Sequence, residues 1–371
     1  MKRFILIFLP FILLSCKDRL QLVENDPVEV IESEKVYISQ IPRVVKKIND
    51  SIIAFVDDNK SIVLLNTVTG KLEREIIQNF KFKKFLKDYV NLSDSLIPYD
   101  ISKHPNIFVA QYPLIKINSF EYEDDQLFVL YTITNPLYEN GAVHIRFANA
   151  LVTSNMDGEI KSVELVELFQ PDDDDDILYT PDDGFGYIPG SKTMVINTIN
   201  QKLMNSIVSS FEYNRTKYSF SNSELFPYPG IKDKAKQDQT RMIYPFEFRI
   251  HGDQIYFTNG KDLYSYTNGN NIINTDRIKS DDSISFIKSF DIILNKREKI
   301  RFFAFLEDVL PNMNAFDKSN KFLALTNSEG NKILKRIPVG RFVSGLVYQN
   351  HNIVFLEEFE EKIIIRKYQI N

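Results

Sequence analysis

Downstream of residue 35 the chain is a succession of short apolar runs, rich in β-branched and aromatic residues and broken by turn-forming clusters. Such runs, alternating at period two in places, predict strands, not helices. The clearest unit lies at 246–275. Phe246–Ile250 and Gln254–Thr258 read as strands. Asn259-Gly260, a strong hairpin signal, leads into the alternating stretch Lys261–Tyr266. Asn268-Gly269 reads as a second turn before a strand at Ile272-Ile273. Four consecutive antiparallel strands with tight turns describe one blade of a β-propeller.

The same grammar recurs at Ile52–Val56, Ile62–Leu65 and Leu72–Ile76, and again at Leu127–Ile133, Val143–Thr153 and Ile160–Leu165. Thr193–Ile199 with Leu203–Val208 make a fourth unit. Ile300–Leu306, Phe322–Thr326 and Ile333–Ile337 make a fifth. Phe342–Tyr348, Ile353–Leu356 and Lys362–Ile370 make a sixth, which ends the sequence. Several turns close with glycine just before a strand, at Gly70-Lys71, Gly158-Glu159 and Gly330-Asn331. The period is soft, as in many repeat folds. The reading is therefore all-β, a β-propeller of six blades, with seven as the alternative. At about 40–45 residues per blade, six blades fit once 78–104 and 209–245 are set aside as insertions. The domain is read as 35–371, with Lys35–Ile41 as the outer strand that closes the last blade.

The first residues follow a different pattern. Met1-Lys2-Arg3 precede an apolar run from Phe4 to Leu14, then Ser15-Cys16. A positive head, an apolar stretch and a small residue are the parts of a secretory signal. The run is too short to span a bilayer as a helix, since about 20 residues are needed. Cys16 directly after the small residue resembles a bacterial lipobox. That resemblance implies cleavage of 1–15, acylation of Cys16 and attachment to a lipid bilayer. Residues 16–34 are polar and acidic and read as the lipidated N-terminus and a flexible tether. Lys17 after the cysteine favours the outer membrane, periplasmic or surface-exposed.

Composition narrows the picture. Cys16 is the only cysteine of 371 residues, so no intrachain disulfide can form and burial must hold the fold. The net charge is −5 and no Lys/Arg stripe occurs, which argues against nucleic acid as a partner. Lipobox, short tether and irregular hairpin repeats rich in Ile, Lys, Asn, Phe and Tyr together resemble the TolB-like six-bladed β-propeller lipoproteins of Bacteroidota. The resemblance implies a lipid-anchored envelope propeller and assigns no catalytic residue.

Candidate chemistry is sparse. Asp172, Asp174, Asp176 and Asp183 fall at positions one, three, five and twelve of an EF-hand-like loop, an oxygen pattern suited to calcium. Ile177 stands where that loop needs glycine, so a solvated acidic loop is the competing reading. Phe226, Tyr228, Tyr244 and Phe246 belong to a proline-rich aromatic segment suited to gripping a ligand or partner, or to packing on the rim. His104, His144, His251 and His351 lie far apart without ligand spacing for zinc. The sequence thus points to a non-catalytic module that binds an envelope protein or small ligand. A cell-surface hydrolase or lyase acting on glycans or peptides is the alternative.

Overall fold

The structure is a computed structural model. It describes residues 27, 29–33, 43–57, 61–78, 114–139, 142–166, 178–179, 185–188, 193–200, 205–214, 217–227, 247–251, 254–258, 263–269, 272–278, 287–295, 300–309, 320–327, 332–340, 343–359 and 362–370. Among them the strands form six antiparallel sheets. Blade I comprises β2 (Arg43–Lys47), β3 (Ile52–Asp57), β4 (Ser61–Asn66) and β5 (Leu72–Ile76). Blade II comprises β6 (Leu114–Glu123), β7 (Gln126–Glu139), β8 (Ala142–Asn155) and β9 (Ile160–Val166). Blade III comprises β11 (Phe185–Ile188), β12 (Thr193–Asn200), β13 (Asn205–Asn214) and β14 (Lys217–Pro227), with the two-residue β10 (Leu178–Tyr179) also on β12.

Blade IV holds β15 (Glu247–His251), β16 (Gln254–Thr258), β17 (Leu263–Gly269) and β18 (Ile272–Ile278). Blade V holds β19 (Ile287–Asn295), β20 (Ile300–Val309), β21 (Asn320–Thr326) and β22 (Ile333–Gly340). Blade VI joins the two ends of the sequence. Its strands β23 (Val343–Gln349), β24 (Asn352–Phe359) and β25 (Lys362–Gln369) are completed by β1 (Glu29–Glu32). The first strands β2, β6, β11, β15, β19 and β23 adjoin one another in a closed circuit, from blade I round to blade VI and back to I. The fold is a six-bladed β-propeller.

The apolar runs follow from this geometry. A blade is covered on both faces by its neighbours, so central strands such as Ile52–Val56 and Ile62–Leu65 are apolar at successive positions. Ala54, Val56, Ile62 and Leu64 pack with Ile117, Phe120, Leu127 and Val129 of blade II. The alternate residues Ile53, Phe55, Val63 and Leu65 pack with Val347, Val354, Leu356, Ile363 and Ile365 of blade VI. Period-two alternation thus divides side chains between two neighbours, not between core and water. The same division recurs in blade V, where Ile292 packs toward blade IV and Ile293 toward blade VI.

The recurring glycine turns also have a physical cause. Gly70 (φ +71°) closes the β4–β5 turn, and an added Cβ would meet the Glu32 carbonyl oxygen at 2.6 Å. Gly158 (φ +81°) closes the β8–β9 turn, and a Cβ there would meet the Ile77 carbonyl oxygen at 3.0 Å. Each turn therefore lies against the outer edge of the preceding blade, where only a bare backbone fits. Side-chain oxygens of Asn66 and Asn155 hold these turns, accepting from Val68 and Thr69, and from Asp157 and Glu159. Gly70→Ala should therefore lower the melting temperature by thermal unfolding, and an unchanged transition would contradict the close approach to Glu32.

Three expectations are corrected. The closing strand is Glu29–Glu32, inside the stretch read as tether, and not Lys35–Ile41, which lies outside the described residues. The acidic residues that suggested a solvated tether are matched to lysines across the ladder: Glu32 to Lys362 at 3.0 Å, and Glu29 to Lys367. The first part of the 209–245 insertion is strand, because β13 and β14 pair through Tyr213↔Tyr218 and Phe211↔Phe220. Finally, Asn268 and Gly269 belong to β17, paired with Ile273 and Ile272, so the turn falls after them. Of the 78–104 insertion, only Gln78 is described.

Candidate functional site on the inner strands

Four of the six inner strands carry the same irregularity. The ladder slips by one residue at Arg43/Lys46, Ile117/Ser119, Ile287/Ser289 and Ser344/Leu346. Each slip is a β-bulge, a device that bends a strand and re-aims its side chains. Val44 (φ 53°) and Gly345 (φ 62°) take up left-handed backbone at two of them. Counted from the bulge, one register position then holds Lys47 in blade I, Glu121 in II, Asp291 in V and Tyr348 in VI.

These polar groups are joined between blades. Lys46, only 8% exposed at its side chain, donates to Glu121 Oε1 at 2.9 Å, linking blades I and II. Asp291 Oδ2 accepts from the Tyr348 backbone N–H at 2.6 Å, linking V and VI. Its Oδ1 accepts from the Ile292 N–H at 2.7 Å. Asp291 is half-buried by exposed area but crowded by inner strands. Loss of water contact pushes its pKa above the usual carboxylate value, against the pull of Arg249, the two N–H groups and Lys47. Burial, then the Asp291 charge, pushes Tyr348 up. Arg249 itself is buried and lies over the Phe290 ring at 5.8 Å, joining blades IV and V.

The sign of the Asp291 effect is fixed. A carboxyl whose pKa is raised on folding favours the fold in its neutral form. That contribution is present below the ordinary value of 3.8 and is lost as pH rises through the folded value. Relative to Asp291→Asn, the native protein should therefore lose stability as pH rises above 3.8. Urea unfolding of both chains across that range checks this. A difference that stays flat or grows in the native protein's favour would contradict it.

A second polar network seals blades I and VI at one rim. Thr67 Oγ1 donates to Gln349 Oε1 at 2.7 Å, and Gln349 Nε2 donates to the Asn49 carbonyl at 2.6 Å. A shallow crevice, open to solvent, sits there against Asp50, Thr67, Asn350 and Lys367. Gln349→Ala should cost about 1–3 kcal/mol, because the Asn49 carbonyl would lose its donor and the Thr67 hydroxyl would keep only the longer bond to the Ser51 carbonyl at 3.1 Å; chemical denaturation measures it. In blade II, Tyr131 donates to Gln78 Oε1 at 2.8 Å while Gln78 donates to Ser154 Oγ at 2.5 Å. Burial drives Tyr131 well above the ordinary tyrosine range.

The sequence candidates are placed as follows. Cys16, Asp172, Asp174, Asp176, Asp183, Tyr228, Tyr244, Phe246 and His104 lie outside the described residues. The backbone of Phe226 lies on β14, paired with Ser206. His144, His251 and His351 fall in blades II, IV and VI, on β8, on β15 and in the β23–β24 turn. Among the described residues no group of three or more His, Cys, Asp or Glu side chains is arranged to hold a metal ion. Among them, too, no helix is long and apolar enough to cross a membrane.

Sequence reasoning missed the inner-strand charges. The available signal was a charged residue interrupting an apolar run, as at Val44–Lys47 and Phe290–Ile293.

No protein-family model and no curated protein matches the chain. Among solved structures, it is similar to the β-propeller domain of Cps50 (Swd1) from Myceliophteria thermophila. The identity is 8%, the TM-score 0.47, and the match covers 93% of this chain and 99% of that one.

Proposed function

We propose that the protein is a lipid-anchored cell-envelope β-propeller that acts as a non-catalytic binding module for an envelope protein or small ligand. The observation that carries this reading is how the inner strands use their polar groups. Lys46, Glu121 and Asp291 are each engaged with a neighbouring blade or with backbone N–H groups. Such pairing stiffens a ring and suits a scaffold that presents rim loops for recognition. The anchor rests on the sequence from Phe4 to Cys16. The resemblance to TolB-like propeller lipoproteins of Bacteroidota fits both, and Lys17 after the cysteine supports an outer-membrane position. Calcium at Asp172–Asp183 and ligand contact through Phe226, Tyr228, Tyr244 and Phe246 remain parts of this proposal.

Two experiments test it. Metabolic labelling with a fatty acid should mark the native chain and not Cys16→Ala, which should leave the membrane fraction. Labelling of both or neither would remove the anchor. Affinity capture of the lipidated protein from gently solubilised membranes, with mass spectrometry, should return a stoichiometric envelope partner or a retained small ligand. A protein recovered alone and turning over a glycan or peptide substrate would overturn the non-catalytic reading.

A further inference from the structure

We infer that β1 is a charge-set clasp that detaches as a unit, so that the N-terminal segment controls the seam between blades I and VI. Consecutive blades elsewhere follow one another along the chain. Blades I and VI are joined covalently only through β1, whose residues precede blade I in sequence and pair into blade VI. The clasp is short, with Glu29↔Lys367, Val30↔Arg366, Ile31↔Ile365 and Glu32↔Ile364 as its register. Beyond the ladder, it is held by the Ser33 N–H on the Ile363 carbonyl at 2.8 Å and by the Ile363 N–H on Ser33 Oγ at 2.9 Å.

Its side chains add little burial. Val30 is 51% exposed, and Ile31 packs only at the margin of the seam core. Charge supplies selectivity: Glu32 pairs with Lys362 and Glu29 with Lys367, whereas Arg366, opposite Val30, is held by Glu357. The Glu32–Lys362 pair is exposed, contributes little energy and weakens with salt, while Lys367 is buried beneath half-exposed Glu29 and that pair is screened less. Behind the clasp the seam retains a larger core, Ile53, Phe55, Val63 and Leu65 against Val347, Val354, Leu356 and Ile363. The clasp is thus the lightest element on a heavy joint, the condition for sub-global opening.

The connection to the anchor rests on acylation of Cys16; the clasp itself does not. The stretch from Cys16 to Glu29 spans at most about 45 Å when fully extended. Any pull on a membrane-held N-terminus therefore reaches β1 before any other strand. Opening it bares the backbone edge of β25, a surface able to accept an extended segment.

Hydrogen exchange read by mass spectrometry decides this, on the full mature chain carrying Cys16→Ser so that lipidation plays no part. Amides of 29–33 should exchange at least ten-fold faster than those of β3 and β24. Raising salt from about 0.05 to 0.5 M should widen the gap, since the Debye length falls. Glu29→Lys with Glu32→Lys should widen it further and leave β3 and β24 unmoved. Exchange of 29–33 in step with β24, or a rate indifferent to both salt and charge reversal, overturns the clasp. A clasp confirmed here alongside an unlabelled Cys16 would remove the anchor alone.

Discussion

Removing residues 362–371 is expected to abolish cooperative folding of the whole ring, not to trim one edge. The deletion takes away β25, and with it Ile363, Ile365, Tyr368 and Ile370. Ile363 and Ile365 belong to the core shared with blade I, while Tyr368 and Ile370 belong to the core shared with blade V. Both neighbours of blade VI therefore lose packing. The Phe355–Tyr368 edge contact at 5.7 Å is lost too, and β1 has nothing left to pair with. Each buried large side chain removed from a core costs about 2–5 kcal/mol, and whole domains are stable by only about 5–15 kcal/mol. Four such losses together are as large as the whole margin. Calorimetry and near-ultraviolet circular dichroism would read it. A truncated chain with an unchanged, sharp transition would mean that the blades do not depend on ring closure.

Gly345→Ala is expected to be the most damaging single substitution among the glycines described here. At φ +62°, an added Cβ would lie 2.2 Å from Val45 Cγ2 and 2.7 Å from Val45 Cβ. Left-handed backbone costs an ordinary residue about 1–2 kcal/mol, and forcing a methyl into a packed contact costs about 1–3 kcal/mol more. The expected loss is about 2–5 kcal/mol by denaturant unfolding. Because the clash lies across the I–VI seam, Val45→Ala in the same chain should restore part of it, making the double variant less destabilised than the sum. Strict additivity would show that the two inner strands do not meet there.

Much of the architecture was legible because blade strands are buried on both faces. Ile52–Val56, Ile62–Leu65 and Ile353–Leu356 are apolar without a break, and tight turns punctuate them. The parts that were not legible share a cause: their stabilising partners are distant in sequence. Glu29 and Glu32 read as a solvated tether until Lys367 and Lys362 are placed opposite them, more than three hundred residues away. The strand Lys217–Pro227, with Ser219, Ser221 and Ser223 among its residues, read as insertion because what makes it a strand is its backbone pairing with β13. The inner-strand constellation failed for the same reason. Lys46 and Glu121 become a pair only when blades I and II adjoin. Nothing local marks Asp291 as the acceptor for a backbone N–H of the next blade.

Closure of the ring by an N-terminal strand can be tested with one engineered disulfide. Ser33 donates to the Ile363 carbonyl, and hydrogen-bonded pairs alternate along an antiparallel ladder, so Val30 and Arg366 form a non-hydrogen-bonded pair. Such pairs place Cα atoms about 4.5 Å apart, within disulfide range. Val30→Cys with Arg366→Cys, in a chain carrying Cys16→Ser, leaves no other thiol. The account predicts quantitative intramolecular oxidation in the folded protein, none in urea, and a raised melting temperature once the bond forms. Thiols that stay free in the folded state, or that link only between molecules, would contradict it.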